Sequence, residues 1–149
     1  MNLPSWRKIM TPQREIRDGN LKNSSFAANL VDLDNPNAES EYREPEKFFN
    51  RTFLTDGLKK LLIATLKRVS NLDGDPVIQL KTSFGGGKTH SLLAIYHLFV
   101  GRNDLLRNEE IRKMIESIGL EKIPDDVRIA KLVGTATNQK FEEIAHQDR

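Results

Sequence analysis

The chain contains no cysteine. This absence excludes disulfide bonds, thiolate nucleophiles and zinc sites built on cysteine, and it is compatible with a reducing cytosol. No apolar run approaches the ~18 residues that a membrane-spanning helix needs, and the first eight residues lack the apolar core of a signal peptide. From these absences we expect a cytoplasmic protein that makes no membrane contact.

A strong excess of one charge is also missing. The 149 residues include 23 Lys and Arg against 21 Asp and Glu, for a formal net charge of +2, and no block of five like charges occurs. Charge therefore gives no support for direct contact with nucleic acid. The proportions of charged and hydrophobic residues, 30% and 38%, are those of an ordinary globular protein, and the length suggests one domain.

A glycine-rich segment lies between two segments that have the pattern of regular structure. Residues 83–90 are Ser-Phe-Gly-Gly-Gly-Lys-Thr-His, after an apolar run at 76–80 and before an amphipathic stretch at 91–100. A strand, a glycine-rich turn and a helix in this order are the context of a phosphate-binding loop. The glycines let backbone N–H groups point at phosphate oxygens, and the helix adds its positive N-terminal end.

This pattern assigns chemical roles to the residues of the segment. Lys88 can reach the β- and γ-phosphates of ATP as the catalytic residue, and the Thr89 hydroxyl can hold Mg²⁺. The predicted nucleotide-binding residues are Phe84, Gly85, Gly86, Gly87, Lys88, Thr89 and His90. Two alternatives stay open, because Phe84 either touches the nucleotide or packs under the loop, and His90 either faces the nucleotide or packs on the helix surface.

The general template, Gly-x-x-x-x-Gly-Lys-Ser/Thr, places a glycine at position 82, where this chain has threonine. A β-branched residue avoids positive φ. The turn into the loop must therefore be built differently or lie in an ordinary backbone region.

Apolar spacing and capping residues predict the helices. They are 25–31, 56–70, 91–100, 111–118, a short turn after Thr11-Pro12 and a short helix around 141–145. Thr55 is the expected N-cap of the helix at 56–70, and Gly119 follows the end of the helix at 111–118. The expected apolar face of the helix at 91–100 consists of Leu92, Ile95, Tyr96, Phe99 and Val100. The polar stretch 32–47 is predicted to be a loop.

The fold class predicted from these elements is α/β. Strands at 77–81 and 127–133, joined by a helical crossover, would form a parallel β-loop-α-β unit of a P-loop NTPase domain. An N-terminal arm with short helices, 1–54, would precede this incomplete nucleotide-binding domain, 55–149. A complete doubly wound sheet has about five strands. Ligands bind at the carboxyl ends of parallel strands, whereas Asp125 and Asp126 precede the second predicted strand. The chain therefore lacks the strand whose acidic residue would hold Mg²⁺ and activate water. Whether the chain is an enzyme stays open.

Several segments resemble the N-terminal part of a family of large prokaryotic P-loop ATPases of the AAA+ type, long catalogued as a domain of unknown function. They are Phe-Ala-Ala-Asn-Leu at 26–30, Tyr-Arg-Glu-Pro-Glu-Lys-Phe-Phe at 42–49, Arg-Thr-Phe-Leu-Thr at 51–55, Gly57-Leu58, the loop at 84–91 and Tyr-His-Leu at 96–98. The family occurs in DNA-modification and phage-defence gene clusters. The resemblance implies ATP and Mg²⁺ as cofactors and protein subunits of such a complex as partners.

Three hypotheses follow from the residues and from the resemblance. The chain is an ATP-binding N-terminal fragment of an AAA+-like ATPase, a non-catalytic nucleotide-binding or subunit-docking module, or a truncated remnant. Phe48, Phe49 and Phe53 are expected to be core anchors, with a docking patch as the alternative. His97 and His146 have no partners at metal-ligand spacing, so no metal site is expected there.

Overall fold

The structure, a computed structural model, describes residues 5–12, 14–19, 29–35, 40–83 and 85–133. Within these ranges the regular elements are α1 (Trp6–Ile9), α2 (Arg14–Arg17), a 3₁₀ helix (Leu30–Asp34), α3 (Ser40–Arg43), α4 (Pro45–Arg51), α5 (Asp56–Val69), α6 (Lys88–Gly101), a second 3₁₀ helix (Arg102–Arg107) and α7 (Glu109–Glu116). None of the described helices has the length and apolar character needed to cross a bilayer.

The predicted α/β fold with a parallel sheet is wrong. Neither 77–81 nor 127–133 forms a strand, and the described part of the chain is helical. Parallel strands are stable when both faces are covered and their backbone groups are paired. Here Val77 is 70% exposed and Leu132 is 79% exposed. The apolar helix faces pack against one another instead, and the two runs contribute only partly buried side chains, Leu80 and Val127, at the edge of the core.

The predicted helix at 56–70 is confirmed as α5. The Thr55 hydroxyl accepts a hydrogen bond from the Leu58 backbone N–H at 3.2 Å, which satisfies one of the free donors at the helix start. Asp56 follows in the first turn, where a carboxylate interacts favourably with the helix dipole. The buried residues repeat at helical spacing; they are Leu58, Leu61, Leu62 and Leu66.

The predicted helix at 91–100 is confirmed within α6, but its predicted buried face is partly wrong. Leu92 is 43% exposed and Val100 is 46% exposed. The residues of α6 that are buried are Leu93, Ala94, His97, Leu98 and Phe99. Because almost every residue from 92 to 100 is apolar, the spacing alone cannot select the face that packs inward.

The helix predicted at 111–118 is confirmed as α7, which begins and ends two residues earlier, at Glu109 and Glu116. The Asn108 side chain caps the helix by accepting from the backbone N–H groups of Glu110 and Ile111, at 3.0 and 3.3 Å. Ile111 is fully buried, and Gly119 adopts φ +77 after the last turn. Glycine reaches this left-handed region without steric cost, which suits it to end a helix.

The predicted loop at 32–47 is wrong, because it contains α3 and the start of α4. Pro45 occupies the first turn of α4, where its missing N–H costs no helical hydrogen bond. The short helix expected after Thr11 is confirmed as α2. Most of the predicted helix at 25–31 and all of that at 141–145 lie outside the described residues.

One hydrophobic core joins α4, α5, α6 and α7. Its most deeply buried large side chains are Leu62, Leu66, Leu93, Leu98, Leu105, Ile111, Ile115 and Ile123. Phe48 and Phe49 of α4 belong to the same core, in agreement with their expected role as anchors. Phe53 is 83% exposed and does not belong to it. The core therefore holds α4 against α6, the helix that follows the glycine-rich segment.

Candidate phosphate-binding loop

The glycine-rich loop, defined here as residues 82–87, leads directly into the N-terminus of α6. Gly85 and Gly87 have φ values of +78 and +74, and Gly87 is the N-cap of the helix. The Gly86 backbone N–H donates to the Ser83 carbonyl at 3.1 Å, which closes a tight turn. The described residues of this loop are exposed. Phe84 lies outside the described residues, so its two alternatives stay predictions.

Gly86 and Thr82 are in close contact across this turn. A Cβ on Gly86 would lie 2.4 Å from Thr82 Oγ1 and 2.6 Å from Thr82 Cβ. Position 86 therefore needs glycine because of the space that it leaves, whereas Gly85 and Gly87 need it because of their φ. The non-glycine residues with positive φ in the described part of the chain are Asn71, Asp73 and Arg102, so Thr82 adopts an ordinary backbone conformation.

The Lys88 ammonium folds back over the loop. Lys88 Nζ donates to Thr82 O at 3.0 Å, to Thr82 Oγ1 at 3.1 Å and to Ser83 O at 3.0 Å. An ammonium has three donors, so these contacts match its hydrogen-bonding capacity. The positive charge is held at an exposed position beside the N-terminus of a helix of 14 residues. Both features favour an anion at this place.

Thr89 lies in the first turn of α6 and is partly buried. Among the described residues no group of three or more His, Cys, Asp or Glu side chains could hold a metal ion. A Mg²⁺ ion at Thr89 would therefore depend on the threonine hydroxyl, phosphate oxygens and water, which is a ligand set that Mg²⁺ accepts. The carboxylate of Asp125 instead contacts Lys122 at 3.4 Å, in keeping with a surface turn.

The structure directs the His90 side chain towards α4. His90 Nε2 lies 3.2 Å from Thr52 Oγ1, and its ring centroid lies 4.8 Å from that of Phe48. The Thr52 hydroxyl donates its one hydrogen to the Phe48 carbonyl at 2.8 Å. It must therefore accept from His90, which places the imidazole proton on Nε2. His90 therefore packs against neighbouring side chains, in agreement with the second of its two alternatives. A direct contact between His90 and a nucleotide stays a prediction.

A second histidine lies on the other side of Phe48. His97 is fully buried, its ring centroid is 4.7 Å from that of Phe48, and its Nε2 donates to the Tyr42 carbonyl at 2.8 Å. We call His90, Phe48 and His97 the ring ladder. Sequence analysis missed it, although one signal was present: His90 and His97 are seven residues apart, which places them on one face of a helix.

Burial lowers the pKa of both histidines of the ring ladder below the ordinary value of 6.5. For His97 burial is the largest cause, the hydrogen bond to the Tyr42 carbonyl opposes it, and the charge of His90 adds a smaller lowering. Desolvation disfavours the charged imidazolium, so both rings are neutral in the folded chain at neutral pH.

We expect the free energy of unfolding to decrease as the pH is lowered through 6.5. The unfolded chain takes up protons on these imidazoles near 6.5, whereas the folded chain does so only at lower pH. Stabilisation by the neutral rings is therefore complete above 6.5 and is lost as the pH falls towards the folded-state pKa values. Urea titrations from about pH 8 to about pH 5 measure this dependence.

The control for this pH dependence is His90→Phe, which should have a flatter profile because it removes one of the two groups. Glu109 contributes only at lower pH, since its hydrogen bond to Lys113 holds its pKa below the ordinary 4.5. Stability that stays constant or increases on acidification through this range would contradict the neutral assignment of the ladder.

The described residues define a helical protein whose glycine-rich loop caps the N-terminus of a long helix. The chain belongs to the DUF499 N-terminal domain family, whose family model matches residues 8–140. No curated protein and no solved structure matches the chain.

Proposed function

We propose that the chain binds Mg·ATP through the glycine-rich loop and the first turn of α6. The observation that carries this proposal is the position of Lys88, whose ammonium is held over the loop by three oxygens of Thr82 and Ser83. A phosphate group can replace these oxygens as the acceptor for the same donors. Loop N–H groups and the helix N-terminus would bind the remaining phosphate oxygens.

The glycines of the loop and the first two residues of α6 have different roles in this proposal. Gly85 and Gly87 supply the left-handed conformations that curve the backbone, and Gly86 leaves the space that Thr82 occupies. Lys88 neutralises charge on the β- and γ-phosphates, and Thr89 offers its hydroxyl to Mg²⁺. Bound Mg²⁺ would supply further neutralisation of the phosphate oxygens.

The wider setting that we propose is a P-loop ATPase of the AAA+ type that serves a DNA-modification or phage-defence complex. It is supported by the resemblance of the segments at 42–49, 51–55 and 84–91. Protein subunits of such a complex would then be the partners of the chain.

A nucleotide-binding module without turnover is the second candidate. It is favoured by the engagement of Asp125 with Lys122, which leaves this carboxylate in a surface turn. Phosphate release from ATP separates the two candidates, because the ATPase predicts Lys88-dependent release and the module predicts binding alone.

Saturating Mg·ATP is expected to raise the melting temperature of the chain, and Lys88→Ala should abolish the increase. A ligand present at ~100 times its Kd adds about 2.7 kcal/mol of stability, which corresponds to about 5–10 °C for a chain of this size. The variant loses the donor that bridges the loop and the phosphates. Thermal melts with and without Mg·ATP measure the shift.

Lys60→Ala is the matched control, because Lys60 is an exposed lysine of α5 and should keep the full shift. Two results would count against the proposal: a wild-type chain whose melt is unchanged by Mg·ATP, or a Lys88→Ala variant that shifts as much as the wild type.

A further inference from the structure

We propose that Thr52 and His90 are positioning residues of the nucleotide site, which hold the first turn of α6 in the geometry that binds the triphosphate. This inference rests on the proposed function and extends it to a residue, Thr52, that lies outside the loop. Thr52 is the C-cap of α4, and His90 is the third residue of α6. Their hydrogen bond joins positions that are 38 residues apart in the chain.

The Thr52 hydroxyl is itself held in place. It donates to the Phe48 carbonyl at 2.8 Å, and the Thr52 backbone N–H donates to the Phe49 carbonyl at 3.3 Å. The last turn of α4 therefore fixes the lone pair that accepts from His90 Nε2. Because the hydroxyl both donates and accepts, its loss removes two hydrogen bonds at once.

The ring ladder limits the remaining freedom of the His90 side chain. Phe48 is 2% exposed and lies between the two imidazoles, with interplanar angles of 30° to His90 and 35° to His97. The far imidazole is anchored by its bond to the Tyr42 carbonyl. Helix α6 is thus attached to the C-terminal end of α4 and to Tyr42 of α3, at two points that are two helical turns apart.

This attachment matters for the loop because the loop is exposed and contains glycines with positive φ. Glycine adds conformational freedom that must be lost when a ligand orders the backbone. A site whose supporting residues are already ordered loses less entropy on binding and therefore binds more tightly. His90 adjoins Thr89 and is two positions from Lys88, so fixing His90 limits the movement of both.

The test compares the Kd for Mg·ATP of the wild-type chain of 149 residues with that of Thr52→Val, by isothermal titration calorimetry below the melting temperature of each protein. Valine keeps the shape of threonine and removes the hydroxyl. We expect Thr52→Val to bind about threefold to tenfold more weakly, the range that the loss of one or two net hydrogen bonds gives. Thr52→Ser, which keeps the hydroxyl, should bind within about twofold of the wild type.

Thr65→Val is the matched control. The Thr65 hydroxyl makes the same kind of bond, to the carbonyl four residues earlier, Leu61, at 2.9 Å on α5. Its loss should lower the melting temperature without a change in Kd. A merely structural role of Thr52 predicts the same pattern for Thr52→Val, and that result would overturn the inference.

His90→Phe provides a second variant, which keeps a ring against Phe48 and removes the donor. It should weaken binding because it removes the bond to Thr52. The double variant should bind no more weakly than the weaker-binding of the two single variants, because the bond between Thr52 and His90 is lost in each of them. Additive losses in the double variant would contradict the inference. If the wild type does not bind Mg·ATP, the proposed function fails and this inference fails with it. If the wild type binds and both single variants bind as tightly as the wild type, only the inference fails.

Discussion

Phe48→Ala is expected to lower the free energy of unfolding by about 3–5 kcal/mol, the usual cost of removing a buried phenylalanine. Phe48 is 2% exposed, and its ring meets Phe49 edge-on at 5.4 Å as well as both histidines of the ring ladder. Alanine would leave a cavity between α4 and α6 and remove all three ring contacts. Urea titration at pH 7.5 or above, about one unit over the ordinary histidine pKa, measures the change with the imidazoles neutral.

The control is Phe53→Ala, which removes the same side chain from a position that is 83% exposed. Surface substitutions of this kind change stability by about 0.5 kcal/mol or less. Phe48→Leu should fall between the two, because leucine refills part of the cavity. Similar losses for Phe48→Ala and Phe53→Ala would contradict the burial of Phe48 in the shared core.

Gly86→Ala is expected to weaken Mg·ATP binding by about tenfold or more. The new Cβ would lie 2.4 Å from Thr82 Oγ1 and 3.0 Å from the Ser83 carbonyl oxygen. Threonine has a short side chain that cannot move far, so the loop must shift away from the conformation that holds Lys88 over it. Overpacking of this kind costs about 1–3 kcal/mol, and 1.4 kcal/mol is a factor of ten in Kd. Calorimetric titration with Mg·ATP measures the change.

A second substitution distinguishes this clash from a general effect of the added methyl group. Thr82→Gly removes both of the closest side-chain atoms, so Gly86→Ala combined with Thr82→Gly should recover part of the lost affinity. Gly57→Ala is the control on α5, since a Cβ there meets no atom within 4 Å; it should leave affinity unchanged. Failure of Thr82→Gly to improve binding in the Gly86→Ala background would show that the contact with Thr82 is not the cause.

The parts of the fold that could be predicted from the sequence depend on local interactions. Thr55 caps α5 through Leu58, three residues along the chain, and Gly119 follows the last turn of α7 with a positive φ. The turn that leads into α6 is local in the same sense, because the Gly86 backbone N–H bonds to the Ser83 carbonyl three residues earlier. Such contacts follow from residue type and spacing, without knowledge of the tertiary structure.

The parts that could not be predicted depend on distant contacts. Two short apolar runs in the sequence predict a sheet, but such runs form strands only if partners cover and pair them. The bond between Thr52 and His90 and that between His97 and the Tyr42 carbonyl join residues 38 and 55 positions apart. As a proline in a polar stretch, Pro45 is typical of a loop, whereas in the structure it begins α4, the helix that buries Phe48 and Phe49.

Under the proposed function, the oxygens of Thr82 and Ser83 compete with phosphate oxygens for the Lys88 ammonium. This ammonium already has three oxygen acceptors from Thr82 and Ser83, so an anion gains only the difference between its own contacts and those that it replaces. A triphosphate offers enough oxygens to replace all three, whereas a carboxylate has two and leaves a donor with the loop. If the loop binds phosphate as we propose, the internal contacts of Lys88 would therefore favour ligands with many clustered anionic oxygens.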